Sequence, residues 1–271
     1  MIFKTLLYGT IREAIEKKII LAMFILIGLI IFLFLLFINL DTVDGIQQMF
    51  SLGGDESYRE NIIRFTIELL NPFIFLSVFF LLLIFSASYI PSMLEKGSID
   101  VLLSKPVSRS KIIIAKFLSV VFLAFIILTF LILLIWLMIS IKTGIWHYPF
   151  LTSILWFTLI FAILYSFQML LGIITQSSIL SLVINLFILF PVSGVLSLRE
   201  LTIFTLVDSG FAKFIVNFLY YILPKAWDIR EICVNLILGV SVESYQAVIT
   251  SVLFMFTMIS LSVLYFSKKD Y

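Results

Sequence analysis

A chain of 271 residues that is 62% hydrophobic and only 13% charged is too apolar for a water-soluble domain. Soluble domains are nearer half apolar and a quarter charged, and this composition would leave much apolar side chain facing water. We therefore expect an integral membrane protein, whose outer surface can also be apolar. The single cysteine, Cys233, excludes an intramolecular disulfide, and the net charge of +2 favours no class of partner.

Six apolar stretches are long enough to cross a hydrocarbon core of about 30 Å as helices. The first is about twice as long as the apolar region of a signal peptide and has no small-residue cleavage site after it, so we expect it to be retained. We predict an all-α, polytopic membrane protein, with one membrane domain over residues 1–271 and no soluble catalytic domain. The predicted spans are 19–38, 72–93, 112–141, 149–174, 178–198 and 246–267.

The segments outside the spans differ in character. Residues 1–18 place apolar side chains on one helical face, which predicts an interfacial helix. The short connection 175–177 predicts that the spans on either side are antiparallel neighbours. The outer segment 199–245 contains apolar runs at 211–223 and 232–240. These runs are either half-buried or re-entrant helices at the outer face, or two further spans.

The basic residues indicate an orientation. The N-terminus, the connection 94–116 and the tail after residue 267 hold eleven basic and five acidic residues, whereas the opposite side holds seven basic and eleven acidic. Basic loops stay in the cytoplasm, and an even number of spans places both termini on one side. We expect a multi-pass protein of the cell membrane with both termini in the cytoplasm.

The connection at 94–111 carries the most specific local pattern. Gly97 permits a sharp turn, Ser98 can cap a new helix, and Pro106 ends that helix because the residue before a proline avoids the α region. The predicted helix is short, cytoplasmic and apolar on one side, which suits a groove on a partner protein. The alternative is a basic loop that only sets the topology. The apolar stripe consists of Ile99, Leu102 and Leu103.

The stretch EKGSIDVLLSKPVSRSKIIIAKFLS, from Glu95 to Ser119, resembles the cytoplasmic loop of ABC-2 type transporter permeases. It is close to the subgroup that includes the nitrous-oxide-reductase maturation permease. In that family an E-(R/K)-G stretch precedes the coupling helix, and KP(V/I)SR leads into the third span. YYILPKAWDI, from Tyr220 to Ile229, resembles a Leu-Pro stretch of the same family. The resemblance implies a separate ATPase and two permease copies around one pathway. It also implies ATPase-coupling roles for Glu95, Gly97, Ile99, Leu102, Leu103, Lys105 and Arg109.

Several catalytic motifs do not occur in the sequence. No Gly-x-x-x-x-Gly-Lys-Ser/Thr occurs, so we expect ATP and Mg²⁺ in the partner ATPase rather than a cofactor in this chain. His-Glu-x-x-His and Gly-x-Ser-x-Gly are also absent. His147 lies between Trp146 and Tyr148, where interfacial aromatic anchoring explains the cluster, and a metal or acid–base role lacks sequence partners.

The predicted span cores hold polar side chains but no charge that we can assign. Ion-coupled transporters usually place ionisable residues within their spans, so we expect the energy for transport to enter from outside the membrane. Ser177, Ser181 and Asn185 are spaced by four and share one face of the fifth span. This face either packs against another helix or a second copy, or it lines the transport pathway.

The resemblance implies that the chain is the permease subunit of an ATP-binding cassette transporter, with export the expected direction. The expected partners are an ATPase subunit, a second permease copy and membrane lipids, without nucleic acid. One alternative is a secondary transporter or channel that needs no ATPase. A further alternative is a membrane-embedded enzyme acting on lipid through the outer acidic residues, for which a solvated loop is the simpler explanation. Those residues are Asp41, Asp44, Asp55 and Glu56.

Overall fold

The computed structural model describes residues 75, 77–103, 108–201, 203–206 and 209–269, together with positions 8, 9, 11–13, 15, 16, 25 and 28. These residues form helices and their connections, without a strand in the described part. The all-α prediction is therefore confirmed for these segments.

The described helices are numbered here in chain order. Helix α5 includes a π-helical segment at Ile188–Val192, and a short 3₁₀ helix, Tyr148–Thr152, leads into α4. The helices are α1 (Ser77–Met93), α2 (Ser98–Leu103), α3 (Arg109–Thr143), α4 (Ser153–Thr175), α5 (Ser178–Ser197), α6 (Ile203–Leu206), α7 (Gly210–Ile222), α8 (Ala226–Ile237) and α9 (Gln246–Lys268).

Four of the predicted spans are helices long and apolar enough to cross a membrane, which identifies a multi-pass membrane protein. The predicted span 72–93 corresponds to α1, a shorter apolar helix in its described part. The predicted span 19–38 lies outside the described residues except at two positions. The four spanning helices are Arg109–Ile141, Tyr148–Thr175, Ser178–Ser197 and Gln246–Lys268.

Helix α3 is longer than a bilayer requires and begins earlier than predicted. Its 35 residues correspond to about 52 Å at 1.5 Å per residue. It begins at Arg109 because Ser108 is extended, with φ −64° and ψ 139°. It ends at Gly144, whose φ of 71° is a left-handed conformation that glycine adopts without steric cost. The basic residues at 109–116 are therefore part of a long helix rather than of a loop.

Helix α4 lies at the centre of the bundle. It packs against α1, α3, α5, α8 and α9, and two thirds of its most apolar window is buried. Gly172 lets α1 approach closely, because a Cβ at this position would lie 3.4 Å from the side chain of Ile90. The connection to α5 is a turn at Gln176 and Ser177, and the two helices pack on each other, as the short connection predicted.

Helix α5 is interrupted by Pro191, which lies inside the π-helical segment. Proline removes a backbone donor and displaces its turn, so nearby carbonyl groups need other partners. Trp227 of α8 supplies one, since its Nε1 donates to the carbonyl oxygen of Leu189 at 3.0 Å. Gly194 leaves room for the same indole, 3.5 Å from where its Cβ would be. The outer segment is thereby joined to the spanning bundle.

The two apolar runs of the outer segment form α7 and α8. These helices have 13 and 12 residues, about 20 Å at 1.5 Å per residue, which is too short to cross a hydrocarbon core of about 30 Å. Neither therefore adds a span, which leaves the interpretation of short helices beside the bundle. Helix α8 has five buried residues, whereas α7 has none and exposes a row of phenylalanines.

Candidate functional site at the α1–α3 connection

The connection between α1 and α3 contains the predicted coupling residues and begins with a tight turn. Gly97 has φ 91°, a left-handed conformation that a side chain would strain. Its N–H donates to Asp100 Oδ2 at 3.2 Å. The turn thus places α2 directly after α1. Lys105 lies outside the described residues, as do the side chains of Leu102 and Leu103.

One residue of the predicted apolar stripe, Ile99, is buried. It is only 3% exposed and belongs to the hydrophobic core of the bundle. Its role in ATPase coupling stays a prediction. Glu95, Lys96 and Asp100 are exposed, so the described part of the exposed surface carries charge.

Arg109 joins the exit of the connection to the end of α9. Its Nη1 donates to the carbonyl oxygen of Lys269 at 2.6 Å, and it lies 3.4 Å from those of Phe266 and Ser267. The last carbonyls of a helix have no partner within the helix, and a cation at this end is favourable. A residue that the resemblance assigned to ATPase coupling therefore caps the last helix of this chain.

Glu13 joins both ends of the connection to the N-terminal segment. Ser92 Oγ donates to Glu13 Oε1 at 2.9 Å, and Lys116 Nζ donates to Glu13 Oε2 at 2.9 Å. Ser92 precedes the connection and Lys116 follows it. One carboxylate therefore fixes the distance between the end of α1 and the first turns of α3, and we name these three residues the Glu13 junction.

Lys116 is a buried cation within a spanning helix, which the sequence interpretation missed. Its residue is 7% exposed, and its ammonium group also lies 5.2 Å from the centroid of the Tyr89 ring. The sequence interpretation placed Lys116 in the cytoplasmic loop and assigned no charge to the span cores. The helical spacing could have predicted this burial. Lys116 is four residues from both Ile112 and Val120, so the three share one helical face, and Ile112 and Val120 are buried. Glu13 gave no comparable signal, being 103 residues away.

Two buried tyrosines extend the polar region inward from the Glu13 junction. The hydroxyl groups of Tyr89 and Tyr165 are buried without a hydrogen-bond partner in the described part of the chain. The Tyr165 ring stacks on Phe117 and Phe161, at centroid distances of 5.8 and 5.6 Å. These rings connect α3 to α4, so the junction lies next to the hydrophobic core of the bundle.

A second polar group lies deeper, between α1, α4 and α5. Gln168 Nε2 donates to the carbonyl oxygen of Leu83 at 2.9 Å, and Ser86 Oγ donates to Gln168 Oε1 at 3.2 Å. Asn185 Nδ2 donates to Gln168 Oε1 at 3.3 Å and to the carbonyl oxygen of Leu164 at 3.1 Å. The three side chains tie three helices together where hydrocarbon offers no other partners.

The predicted polar face of α5 divides between two local roles. Ser177 caps the helix, since its Oγ accepts from the N–H of Leu180 at 3.3 Å. Ser181 and Asn185 are fully buried; Ser181 bonds to its own helix, and Asn185 faces α4. Within this chain the face packs helix on helix. A role in lining a pathway stays a prediction.

The outer segment carries a third polar cluster, within the stretch that resembles the Leu-Pro region. Tyr220 donates to Asp228 Oδ2 at 2.5 Å, and Arg199 lies 3.4 Å from the centroid of the Tyr220 ring. Lys225 Nζ donates to Thr250 Oγ1 at 2.8 Å. Burial lowers the pKa of Lys225 to about 8 and raises the pKa of Asp228. This cluster fixes the outer segment to the first turn of α9.

His147 contacts main-chain and aromatic groups at the end of α3. Its Nε2 lies 2.9 Å from the carbonyl oxygen of Ile237, and its own carbonyl accepts from Trp136 Nε1 at 3.0 Å. Trp136 also packs against Trp146 and Tyr148. His147 thus joins the outer end of α3 to α8. No group of three metal-ligating side chains occurs within the residues that the structure covers.

Comparison with known proteins gives one match. The model of the DUF2705 family, described as a protein of unknown function, matches residues 19–271. The match includes the α1–α3 connection, the four spanning helices and the outer segment. No curated protein and no solved structure matches the chain.

Proposed function

We propose that this chain, which belongs to the DUF2705 family, is the permease subunit of an ABC-2 type transporter. It forms the transmembrane pathway together with a second copy or a homologous permease. A separate ATPase subunit binds ATP and Mg²⁺ and docks on the cytoplasmic side, which is the side of the α1–α3 connection. The motif at Glu95–Ser119 is the basis of this proposal, and export is the direction it implies.

The observation that carries the proposal is the anchoring of the α1–α3 connection to the bundle at both ends. Glu13 holds Ser92 and Lys116, and Arg109 holds the end of α9. A push on the exposed turn at Glu95 would therefore reach the N-terminal segment, α3 and α9 together. Rigid helices joined by hydrogen bonds and ion pairs can carry a movement from a docked ATPase into the bundle.

The exposed surface of the connection sets the chemistry of docking. Glu95, Lys96 and Asp100 are exposed, whereas Ile99 is buried. The ATPase would thus be recognised through charge and backbone at the turn, and Ile99 would transmit movement into the core. The part that Leu102 and Leu103 of the predicted apolar stripe take in docking stays a prediction.

The proposal is tested by the ATPase activity of a reconstituted complex. The chain is purified in mild detergent together with the P-loop ATPase that the proposal expects it to retain, and the complex is placed in liposomes. Glu95→Ala and Gly97→Pro should lower the ATPase activity that depends on the permease at least fivefold, while both variants still insert into the membrane. The matched control is Glu243→Ala, an exposed carboxylate of the outer segment, which should leave the activity unchanged. Unchanged activity in both loop variants would overturn the proposal.

One observation, the buried ion pair, favours the alternative that the protein is a secondary transporter. Ionisable side chains within spans often serve ion coupling, and Lys116 and Glu13 form such a pair at 2.9 Å. Lys116 lies seven residues into α3, about 10 Å from its start, which suits a structural junction better than a site at the membrane midplane. Substrate flux in proteoliposomes driven by a proton gradient without ATP would favour this alternative.

A further inference from the structure

A groove opens between α4 and α9 near the C-terminal end of both helices. Its volume is about 550 Å³, within the range of small-molecule sites. Leu170 and Ile174 form one wall, and Leu261, Leu264 and Tyr265 form the other. Almost all of the lining is hydrocarbon, so the interior suits an apolar chain rather than a polar solute. We name this feature the α4–α9 groove.

The mouth of the α4–α9 groove is cationic. Lys268 and Lys269 border it, and the ammonium group of Lys269 lies 5.7 Å from the centroid of the Tyr265 ring. Within the described part of the chain, the residues that line the groove include no carboxylate. A ligand that matches this arrangement has an apolar tail and an anionic head.

The position of the lysines along α9 relates the groove to the bilayer. Helix α9 has 23 residues, from Gln246 to Lys268, which is close to the length that crosses a hydrocarbon core. Lys268 and Lys269 therefore lie at the level of the lipid headgroups. Leu261 and Leu264 lie one to two turns deeper, where the acyl chains are.

We propose that the α4–α9 groove binds one anionic phospholipid of the adjacent leaflet, with an acyl chain in the groove and the phosphate at Lys268 and Lys269. Charge complementarity selects this occupant. A neutral lipid would pack against the apolar walls equally well, but it would gain no binding energy from the two ammonium groups. Each lysine near a lipid surface favours an anionic headgroup about fivefold.

The lipid would stabilise the helix end that Arg109 contacts. Arg109 donates to the carbonyl oxygen of Lys269, at the mouth of the groove. Occupancy of the groove would therefore restrict the end of α9 and, through Arg109, the exit of the α1–α3 connection. The binding site itself does not depend on the proposed ATPase partner, so the two proposals can fail separately.

The test is lipid retention by the purified full-length chain. The protein is extracted in mild detergent, exposed to equal amounts of phosphatidylglycerol and phosphatidylcholine, and analysed by native mass spectrometry. We expect one phosphatidylglycerol per chain, with retention lowered about 20-fold in Lys268→Gln/Lys269→Gln. Leu264→Trp, which fills the groove, should lower retention of both lipids. The control Lys96→Gln/Lys111→Gln removes two exposed lysines outside the groove and should retain the lipid.

Three results would overturn the proposal. One is equal retention of the two lipids by the unaltered protein. Another is retention of phosphatidylglycerol that neither groove variant lowers. The third is that protein, rather than lipid, occupies the groove. This would be seen in a Cys233→Ser background as a disulfide formed by Leu264→Cys. The second cysteine would belong either to another copy of the chain or to a cysteine placed within residues 19–38.

Discussion

The guanidinium group of Arg109 lies 2.6 Å from the main-chain carbonyl oxygen of Lys269, so the first residue of α3 caps the last turn of α9. The two residues are 160 positions apart, and the contact closes the bundle next to the α1–α3 connection. Charged hydrogen bonds of this kind contribute about 1.5–3 kcal/mol. The contact gives the connection a direct mechanical link to a helix that is distant in sequence.

Removal of this contact should loosen the end of α9. In Arg109→Gln, we expect amide hydrogen exchange at 265–269 to accelerate about tenfold, because the terminal carbonyls lose their cap. Exchange near Gln246, at the other end of the helix, should not change. Lys111→Gln is the matched control, since Lys111 is exposed two residues further along α3. Equal exchange in Arg109→Gln and the control would show that the cap does not hold the helix.

The Glu13 junction should behave as a buried ion pair. Lys116→Met leaves the Glu13 carboxylate without its cation and should lower the free energy of unfolding by about 2 kcal/mol. This is less than the 3–5 kcal/mol of a fully buried pair, because the Glu13 side chain is 24% exposed. The measurement is thermal unfolding of purified protein in one detergent.

Two further variants distinguish the contribution of the ion pair to stability from that of side-chain packing. Adding Glu13→Gln to Lys116→Met should restore at least half of the lost stability, since no unpaired charge remains. Arg12→Gln breaks the exposed pair with Glu16, whose side chains are 69% and 62% exposed, and should leave the stability unchanged, because water and salt screen exposed pairs. A double variant no more stable than Lys116→Met alone would contradict a role for the buried charge.

The Gln168 group should show energetic coupling between helices. Gln168→Leu and Asn185→Leu each remove one partner of the 3.3 Å hydrogen bond and should each destabilise the protein by about 1 kcal/mol. The double-mutant cycle should give a coupling energy of about 0.5–1 kcal/mol, in the range for hydrogen bonds within membranes. Ser166→Ala is the control, since Ser166 bonds only to its own helix at Ile163. A coupling energy of zero would mean that the contact does not hold α4 to α5.

Lys225 should make stability depend on pH. Burial lowers its pKa to about 8, so the folded protein releases this proton at a lower pH than the unfolded chain. The unfolded state then holds more protons above about pH 8, and stability rises with pH in that range. Thermal unfolding of the wild type should therefore gain stability between about pH 8 and 9.5 relative to Lys225→Met.

A variant of an exposed lysine is the control for these measurements of stability against pH. Lys111→Met should follow the wild type at every pH, because Lys111 is exposed. Arg199 and Asp228 also act on Lys225, and both charges remain in all three proteins. If the stability of the wild type relative to Lys225→Met did not change with pH, or fell as pH rose, Lys225 would not be titrating in this range.

The spanning helices were predictable because hydrocarbon imposes length and composition on them. The runs 149–174 and 246–267 agree with α4 and α9 to within a few residues. Helix α3 begins at Arg109, three residues before the predicted span. The prediction placed its start later because basic residues next to an apolar run resemble a loop. Lys116 is buried only because Glu13 supplies the opposite charge, and no local pattern encodes a partner 103 residues away.

The candidate site was predictable in position but not in orientation. The turn at Gly97 follows from the residue type, because glycine adopts a left-handed conformation without steric cost. Which face of α2 is buried depends on where the bundle lies, so Ile99 could be assigned to an apolar stripe but not to the core. The contacts of Arg109 and His147 with main-chain carbonyls also escaped prediction, because every residue offers such an acceptor.

The most direct test of the proposed function is a cross-link from the exposed turn of the α1–α3 connection. Lys96 is exposed and is replaced by a photoreactive residue in the cells that naturally produce this chain, with the same replacement at Glu243 as the control. The account predicts a cross-link from position 96, and not from position 243, to the ATPase, identified by mass spectrometry of the conjugate. Absence of any ATPase conjugate at position 96, with the purified chain transporting substrate without ATP, would contradict it.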